Sequence, residues 1–505
     1  MEGYRKSLNL CFKMELPNDI SSCHRIIREL VGALEGLKPE LEGYVQQIEA
    51  QRQQIESQSK QIVQLELRVK ELESQIKQNS RNSSRPPSSD SFRTKPAFPR
   101  TAGGKIGGKF GHDGGTLKMV EKADFIVEHQ AVVCAHCGKT HFQEPLTLRG
   151  RRQVFDIPAP KIEVTEHRAL DWVCCGCAHE NSGKFPDSVP ASTQYGLRLQ
   201  TTGVLFNNAY NIPRNKVQLI FKDLFGVNLN ESTLQTHCES AYARLETEEN
   251  HIKDQLLQSE LVHFDETGFY VGKTRFWEHV ASNECFTHLF VHANRGEKAH
   301  HDGQSILPGY QNWAMHDCWA SYFLFKGCKH AVCGAHLLRE LTALIENGSD
   351  WAKKCHQMLL DLYERTEKGQ ARLPEKEHEA VFRDFQKIRN LADAEEPPSV
   401  QKPRGKPKKS KGRNLFDRLQ KHTDAVLAFV VQKQVPFTNN QAERDIRPTK
   451  TKMKVSGCFR TIEGANIYAR VQGFVSTVRK LQFNPFNELY TVLSGGIPEY
   501  RLILC

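Results

Sequence analysis

Leu41, Ile48, Ile55, Ile62, Val69 and Ile76 recur every seven residues, and Tyr44, Leu65 and Leu72 follow three positions later, with Gln51 and Gln58 in the same slots. A seven-residue apolar repeat commits this stretch to a left-handed coiled coil, because 3.5 residues per turn keep one seam facing a partner helix. The two Gln side chains weaken the seam while helping to set its register and strand number. The flanking faces are Glu, Gln, Lys and Ser, so the partner expected is another copy of the chain rather than a core of the same domain. Pro39 is expected to mark the start of the helix. The polar tract from Asn79 to Ser89 ends it and, with Gly103-Gly104, Gly107-Gly108 and Gly114-Gly115, reads as a linker too poor in apolar surface to fold.

A chain of 505 residues exceeds one ordinary core and suggests roughly three modules. Lys+Arg 69 against Asp+Glu 59 gives a net charge of +10, which favours an anionic partner. The excess is concentrated between Lys77 and Lys118 and in the run Lys402, Arg404, Lys406, Lys408, Lys409, Lys411 and Arg413. Mobile basic segments of this kind neutralise phosphates by releasing counterions, so a nucleic acid is the expected partner. No charged-then-apolar leader stands at the N-terminus, and no apolar run approaches the roughly 18 residues needed to cross a bilayer. The expected setting is therefore cytoplasmic and nucleoid-associated, away from membranes. There the 15 cysteines read as reduced thiols and metal ligands rather than disulfides. Cys134-x-x-Cys137 and Cys174-x-x-Cys177, with strand-like alternation around Val154 to Val164 between them, would converge on one tetrahedral Zn²⁺. Cys175, His136 and His179 are nearby substitutes.

A helix from Lys216 to Phe225, a Gly226-bearing turn and a second helix from about Glu231 form a hairpin that resembles a DNA-reading unit. Three strand signals follow, Leu261 to Tyr270, Phe276 to Ala281 and Phe286 to Ala293, and predict an antiparallel meander. Asp265 lies inside the first. An acid in an apolar strand must be ion-paired, cap a turn or hold a cation. Asp317 follows the apolar segment Trp313 to His316, and Glu443 lies in a segment expected to be helical until Pro448 interrupts it. Asp445 and Glu463 compete with Glu443. If a mixed sheet with flanking helices brings Asp265, Asp317 and Glu443 together, their hard oxygens suit two Mg²⁺ or Mn²⁺ ions and in-line displacement at phosphorus. Glu266 points to the other face of its strand. Asn439 and Arg447 flank Glu443 one helical turn away; Arg444 and Arg447 are either phosphate contacts or ordinary surface cations. Cys328, His330, Cys333 and His336 are either a second zinc site or packed side chains.

Taken together and in order, these residues resemble the IS66 family of insertion-sequence transposases nearly end to end. The resemblance is carried by the heptad helix, the Ser/Pro-rich tract ending at Asp90, the glycine-rich segment, the paired knuckles, Asp265-Glu266-Thr267-Gly268, Asp317 with Tyr322, Cys333-Gly334-Ala335-His336, Asn439-Asn440-x-Ala442-Glu443-Arg444 with Arg447-Pro448, and Asn484-Pro485-Phe486. It implies a multidomain α+β protein. The modules are an N-terminal arm and coiled coil (1–78), a basic linker (79–120), a zinc-ribbon-like module (121–190) and a helix-turn-helix-like segment (191–255). An RNase H-like DDE domain follows (256–480, with a helical insertion at about 346–425), then a C-terminal element (481–505). It further implies that Asp265, Asp317 and Glu443 are the metal-binding triad, that Cys333 and His336 brace the core beside it, and that element ends are cut to expose a 3′-hydroxyl that attacks target DNA. Self-association would hold two ends together, and accessory proteins of the same element stay open. Cys318-Trp319 departs from the Gly-Tyr-like pair expected after the second acid, and the tail from Gly495 to Cys505 is unfamiliar. A rival reading is an inactive or domesticated copy acting as a zinc-dependent DNA-binding protein; a third is a nuclease that cuts without joining.

Overall fold

The computed structural model describes residues 19–76, 78, 82, 117–129, 131–140, 148–302, 304–366, 371–396 and 409–503. Most of the 79–120 linker and the basic run from Lys402 to Lys408 lie outside these. The chain forms two compact units, Met1–Asp90 and Ser91–Cys505. Among the described residues no helix is long and apolar enough to cross a membrane.

Among the described residues, the first unit has one helix, Ile20–Ile76, of 57 residues. It begins well before Pro39, which lies inside it, so the expected start is corrected. Ile20, Ile27 and Leu34 extend the seven-residue repeat upstream in the same register. Pro39 falls five residues after Leu34, nearly opposite the seam, so its missing N–H and its ring disturb the solvent face rather than the packing face. The seam is open in the single chain: Leu41 is 66 % exposed and Ile48 63 %.

In the second unit the cysteine-bearing segment has one short antiparallel ribbon, β1 (Asp171–Val173) with β2 (Glu180–Ser182), on either side of the second knuckle. The strand expected around Val154 to Val164 does not form; Val154 and Val164 are exposed, and with no sheet or helix to pack on, alternation alone does not make a strand.

The expected hairpin is present as helices Arg214–Phe225 and Glu231–Arg244, closed by Gly226 in the left-handed conformation (φ 70°). It is not a separate module. Phe221, Leu234 and Ala241 share a core with Val471, Phe474 and Leu489 of helices Ile462–Lys480 and Pro485–Leu493. Glu231, Ser232, Thr236, Glu239, Ala243 and Arg244 are the exposed residues of the second helix. The unfamiliar tail is built into the same core: Tyr500 is fully buried, its hydroxyl donates to Glu248, and Arg501 pairs with that carboxylate at 2.9 Å.

A mixed five-stranded sheet forms the centre, with β3 (Leu261–Val271), β4 (Thr274–Ser282), β5 (Thr287–His292), β6 (Trp313–His316) and β7 (Lys329–Val332) in the order β5-β4-β3-β6-β7. The first three make the expected antiparallel meander; β6 is parallel to β3 and β7 to β6. Order and directions are consistent with an RNase H-like DDE domain. Helix Asn440–Ser456 packs on β3 and β4 and helix Ile462–Lys480 on β5. The former continues through Pro448, contrary to expectation, because tertiary packing of Ile446 and Thr449 holds both sides of the proline in one helix. The insertion is a helical layer, Asp350–Arg365, Glu375–Glu395 and Lys411–Lys421, whose Trp351, Leu359, Phe385 and Phe416 build a core with Phe437. Of the described end of the basic run, Lys409 is paired with Asp417 and Arg413 with Asp417 and Asp393, while Lys411 is exposed.

Candidate active site

Strand alternation separates Asp265 from Glu266. In the β3–β4 register Asp265 stands opposite Val280 and Glu266 opposite His279, so successive acids face opposite sides of the sheet. The parallel pairing of Leu261 with Trp313 and His263 with Met315, continued along the strands, sets Asp265 level with Asp317 just past the end of β6. Burial, then the neighbouring charges of Glu266 and Asp317, lift the Asp265 carboxyl to about 7, although its Oδ1 accepts the Glu266 N–H at 2.9 Å. His336 also acts on Asp265 electrostatically, and its Nδ1 lies 3.9 Å from Glu443 Oε1. Burial works against the charged imidazole, but Cys333 and Glu443 outweigh it and raise His336 to about 9. Asp265 thus lies within electrostatic reach of Asp317 and of His336, and His336 stands beside Glu443.

Glu443 extends from the first turn of helix Asn440–Ser456, and Asn439 holds the helix start in place. Asn439 Nδ2 donates to Phe264 O at 2.8 Å, His263 Nδ1 donates to Asn439 Oδ1 at 2.8 Å, and the Asn439 N–H donates to Cys333 Sγ at 3.2 Å. Asn439 is fully buried, so it ties Glu443 to the strand that carries Asp265. Next to Cys333, the Gly334 N–H donates to Phe437 O at 2.8 Å, and a Cβ on Gly334 would stand 2.3 Å from the Phe437 ring. That close approach requires glycine there.

Among the described residues, the one group of three ligating side chains whose atoms lie within 4.8 Å of one another is Cys333, His336 and Glu443. Asp265, Asp317 and Glu443 do not form such a group, and Glu443 is turned toward His336. The Glu443 Oε1 and His336 Nδ1 atoms are shut off from solvent without a hydrogen-bond partner. Cys328 and His330 do not join them: both contact Phe325 O at the other end of β7. Asp445 is paired with Lys480 at 2.7 Å, and Glu463 lies in the first turn of a different helix, which leaves Glu443 as the acid facing the site. Arg444 donates to Gln441 at 2.6 Å; Arg447 is exposed.

On the opposite face, Glu266 accepts from the Tyr322 hydroxyl and from Arg295 Nε, each at 2.5 Å, and Arg295 Nη2 lies 3.5 Å from Asp317 Oδ2. Arg295 was not singled out by sequence: it sits in an ordinary Asn-Arg-Gly turn, and only the fold brings Glu266 and Asp317 to it.

The knuckles are each closed turns, with Gly138 N–H donating to Cys134 O and Ala178 N–H to Cys174 O. Backbone and thiol donors from His136 and Cys137 lower the Cys134 thiol, and those from Gly176 and Cys177 lower Cys174. The four sulfurs of Cys134, Cys137, Cys174 and Cys177 do not gather into one ligand group.

A family model described as the IS66 transposase family matches residues 193–467, a stretch that begins ahead of the Arg214–Phe225 helix and includes all three acids. The chain belongs to the IS66 transposase family. DNA transposition, and with it DNA binding, is the activity that membership in this IS66 family carries, and DDE transposases use divalent metals. A second model, for a family of unknown function, matches residues 24–115, across the long helix and the linker. A search of curated proteins returns no match.

Proposed function

We propose that Asp265, Asp317 and Glu443 hold divalent cations, Mg²⁺ or Mn²⁺, and that the chain cuts insertion-sequence ends and joins them to target DNA on an RNase H-like scaffold. The observation that supports the reading is placement: Asp265 on β3 lies within electrostatic reach of Asp317, and Glu443 stands at the start of a helix that Asn439 ties to the same strand. Asp265 is lifted to about 7 by burial and acidic neighbours, and Glu443 Oε1 is buried without a donor. The donors are hard oxygens, which suits these ions. Bound there, such ions activate an attacking oxygen and stabilise a leaving one.

The chain's own residues do the rest. Arg295 holds Asp317 and Glu266 in place, and Asn439 and Cys333 fix the helix that carries Glu443. In the first reaction a water oxygen bonds to phosphorus, the P–O3′ bond breaks and the 3′-oxygen leaves with a proton. In the second that 3′-hydroxyl bonds to a target phosphorus, one target P–O bond breaks, and its oxygen takes the proton. Each phosphodiester lost in joining is replaced by another, so no energy source is needed. The Cys134/Cys137 and Cys174/Cys177 turns, with thiols lowered toward thiolate, fit half-sites for structural Zn²⁺. The Ile20–Ile76 seam fits self-association that holds two ends together.

The test is cleavage and joining of labelled element-end DNA by the full chain with Mg²⁺ or Mn²⁺, beside Asp265→Asn and Glu443→Gln. Metal-dependent joining lost in both variants is the expected result. Tight DNA binding without cleavage, the same in all three proteins, would overturn it, and cleavage without joining would make the chain a nuclease.

A further inference from the structure

Next to the carboxylates the chain carries an alternating series of aromatic rings and guanidinium groups that holding the acids does not require. Arg275 lies 4.5 Å from the centroid of the Trp277 ring, Arg295 lies 5.1 Å from the same ring, and Arg295 lies 4.1 Å from the Trp319 ring. The series rests on a bare strand: a Cβ on Gly268, the register partner of Trp277, would stand 2.8 Å from the Arg275 guanidinium, so glycine lets Arg275 lie over β3 beside Trp277. Its far end is tied to the site, because Arg295 donates to Glu266 and Asp317, and the Trp319 N–H donates to Asp317 Oδ1 at 3.0 Å. Trp319 nonetheless remains 44 % exposed, and Tyr270 on the same side of β3 52 %.

An indole held rigidly by one arginine and left open to solvent is an unfilled layer in a stack. The guanidinium behind it is balanced by Glu266 and Asp317, so what it offers is a fixed aromatic face, and such a face takes bases of unpaired strands, since every base offers a π-face. The geometry points to Trp319 as the stacking surface for an unpaired DNA base adjoining the phosphate that reacts beside Asp317, with Arg295 and Trp277 as its support. The inference rests on the DNA-processing reading of the site and deepens it: the substrate strand is opened, at least by one nucleotide, where it is cut or joined.

The experiment uses the full chain without divalent metal. It compares binding of a single-stranded oligothymidine with a strand of equal length and charge carrying abasic linkers. Wild type is expected to prefer the base-bearing strand by about tenfold, the scale of one base–aromatic stack. Trp319→Ala and Trp319→Leu should abolish that preference and Trp319→Phe should retain most of it, the Leu variant keeping apolar bulk should Ala disturb the fold. Equal affinity of wild type for both strands would overturn the inference, as would equal weakening toward both strands in Trp319→Leu, which would make the indole only a brace for Arg295. Because no metal is present, loss of base preference in a chain that still joins DNA sinks the stack alone. A base preference in a chain that does not join DNA supports the stack while the transposase reading fails.

Discussion

Cys318, between the second acid and the open indole, has φ 70°, a left-handed conformation that costs an L-residue about 1–2 kcal/mol. Its N–H donates to His316 Nδ1 at 3.2 Å and its side chain is buried. The conformation gives a physical reason for the glycine that the family resemblance led us to expect there. Cys318→Gly trades backbone strain against a small buried side chain, whereas Cys318→Ala keeps the strain and loses the sulfur. The Gly variant should therefore be the more stable of the two by about 1 kcal/mol, read from urea midpoints; an Ala variant equal to or better than Gly would contradict this. At this scale, strand alternation in the sequence was enough to part Asp265 from Glu266. Asn439 was legible as a residue that could orient Glu443, whereas the role of Arg295 was not, because its partners Glu266 and Asp317 lie far from it and from one another along the chain.

Periodicity carried the elements that pack against one partner and failed where several compete. The heptad repeat, the β3–β5 meander and the Gly226 hairpin were all legible, each being a local pattern with one buried face. Pro39 and Pro448 misled as helix breakers because both helices continue through them, one with its packing seam turned away from the proline and the other clamped by tertiary contacts. Val154 to Val164 misled because alternation without a surface to bury against stays irregular. For the long helix the account predicts that the full chain self-associates, since the seam from Ile20 to Ile76 offers at least one apolar layer in every heptad, each side chain worth about 1.5–3 kcal/mol when buried. Sedimentation should show an oligomer for wild type and a much weaker one for the Ile48→Asp, Ile62→Asp double variant. A monomeric wild type at micromolar concentration would remove the seam as an interface.

Across the whole molecule, the interior stores titratable groups in their neutral forms, and they pull stability in opposite directions with pH. Burial holds the imidazoles of His263, His288 and His300 at about 4, below the usual 6.5. The unfolded chain then takes up protons first, and stability falls as pH drops from about 6.5 toward 4. Burial pushes Glu278 up to about 8 from 4.5, with Thr449 donating to it at 2.5 Å. Its folded value lies above its unfolded one, so its contribution is complete below about pH 4.5 and is lost as pH rises through about 8. Glu278→Gln should therefore gain stability relative to wild type between pH 5.5 and 8, by an amount on the order of a few kcal/mol, measured as the difference in Tm. A difference that does not change with pH would show that Glu278 is charged inside the fold. The catalytic reading is likewise a property of the whole molecule, because its three acids come from β3, the end of β6 and a helix more than a hundred residues later, and the most direct test asks whether one ion sees all three. Fe²⁺ substituted for Mg²⁺, with ascorbate and peroxide, cuts backbone close to where it is bound. The account predicts cuts around Asp265, Asp317 and Glu443 together, suppressed by excess Mg²⁺ and by Asp265→Asn. Cuts confined to the Cys333–His336 and Glu443 segments would place the metal on that cluster instead and contradict it.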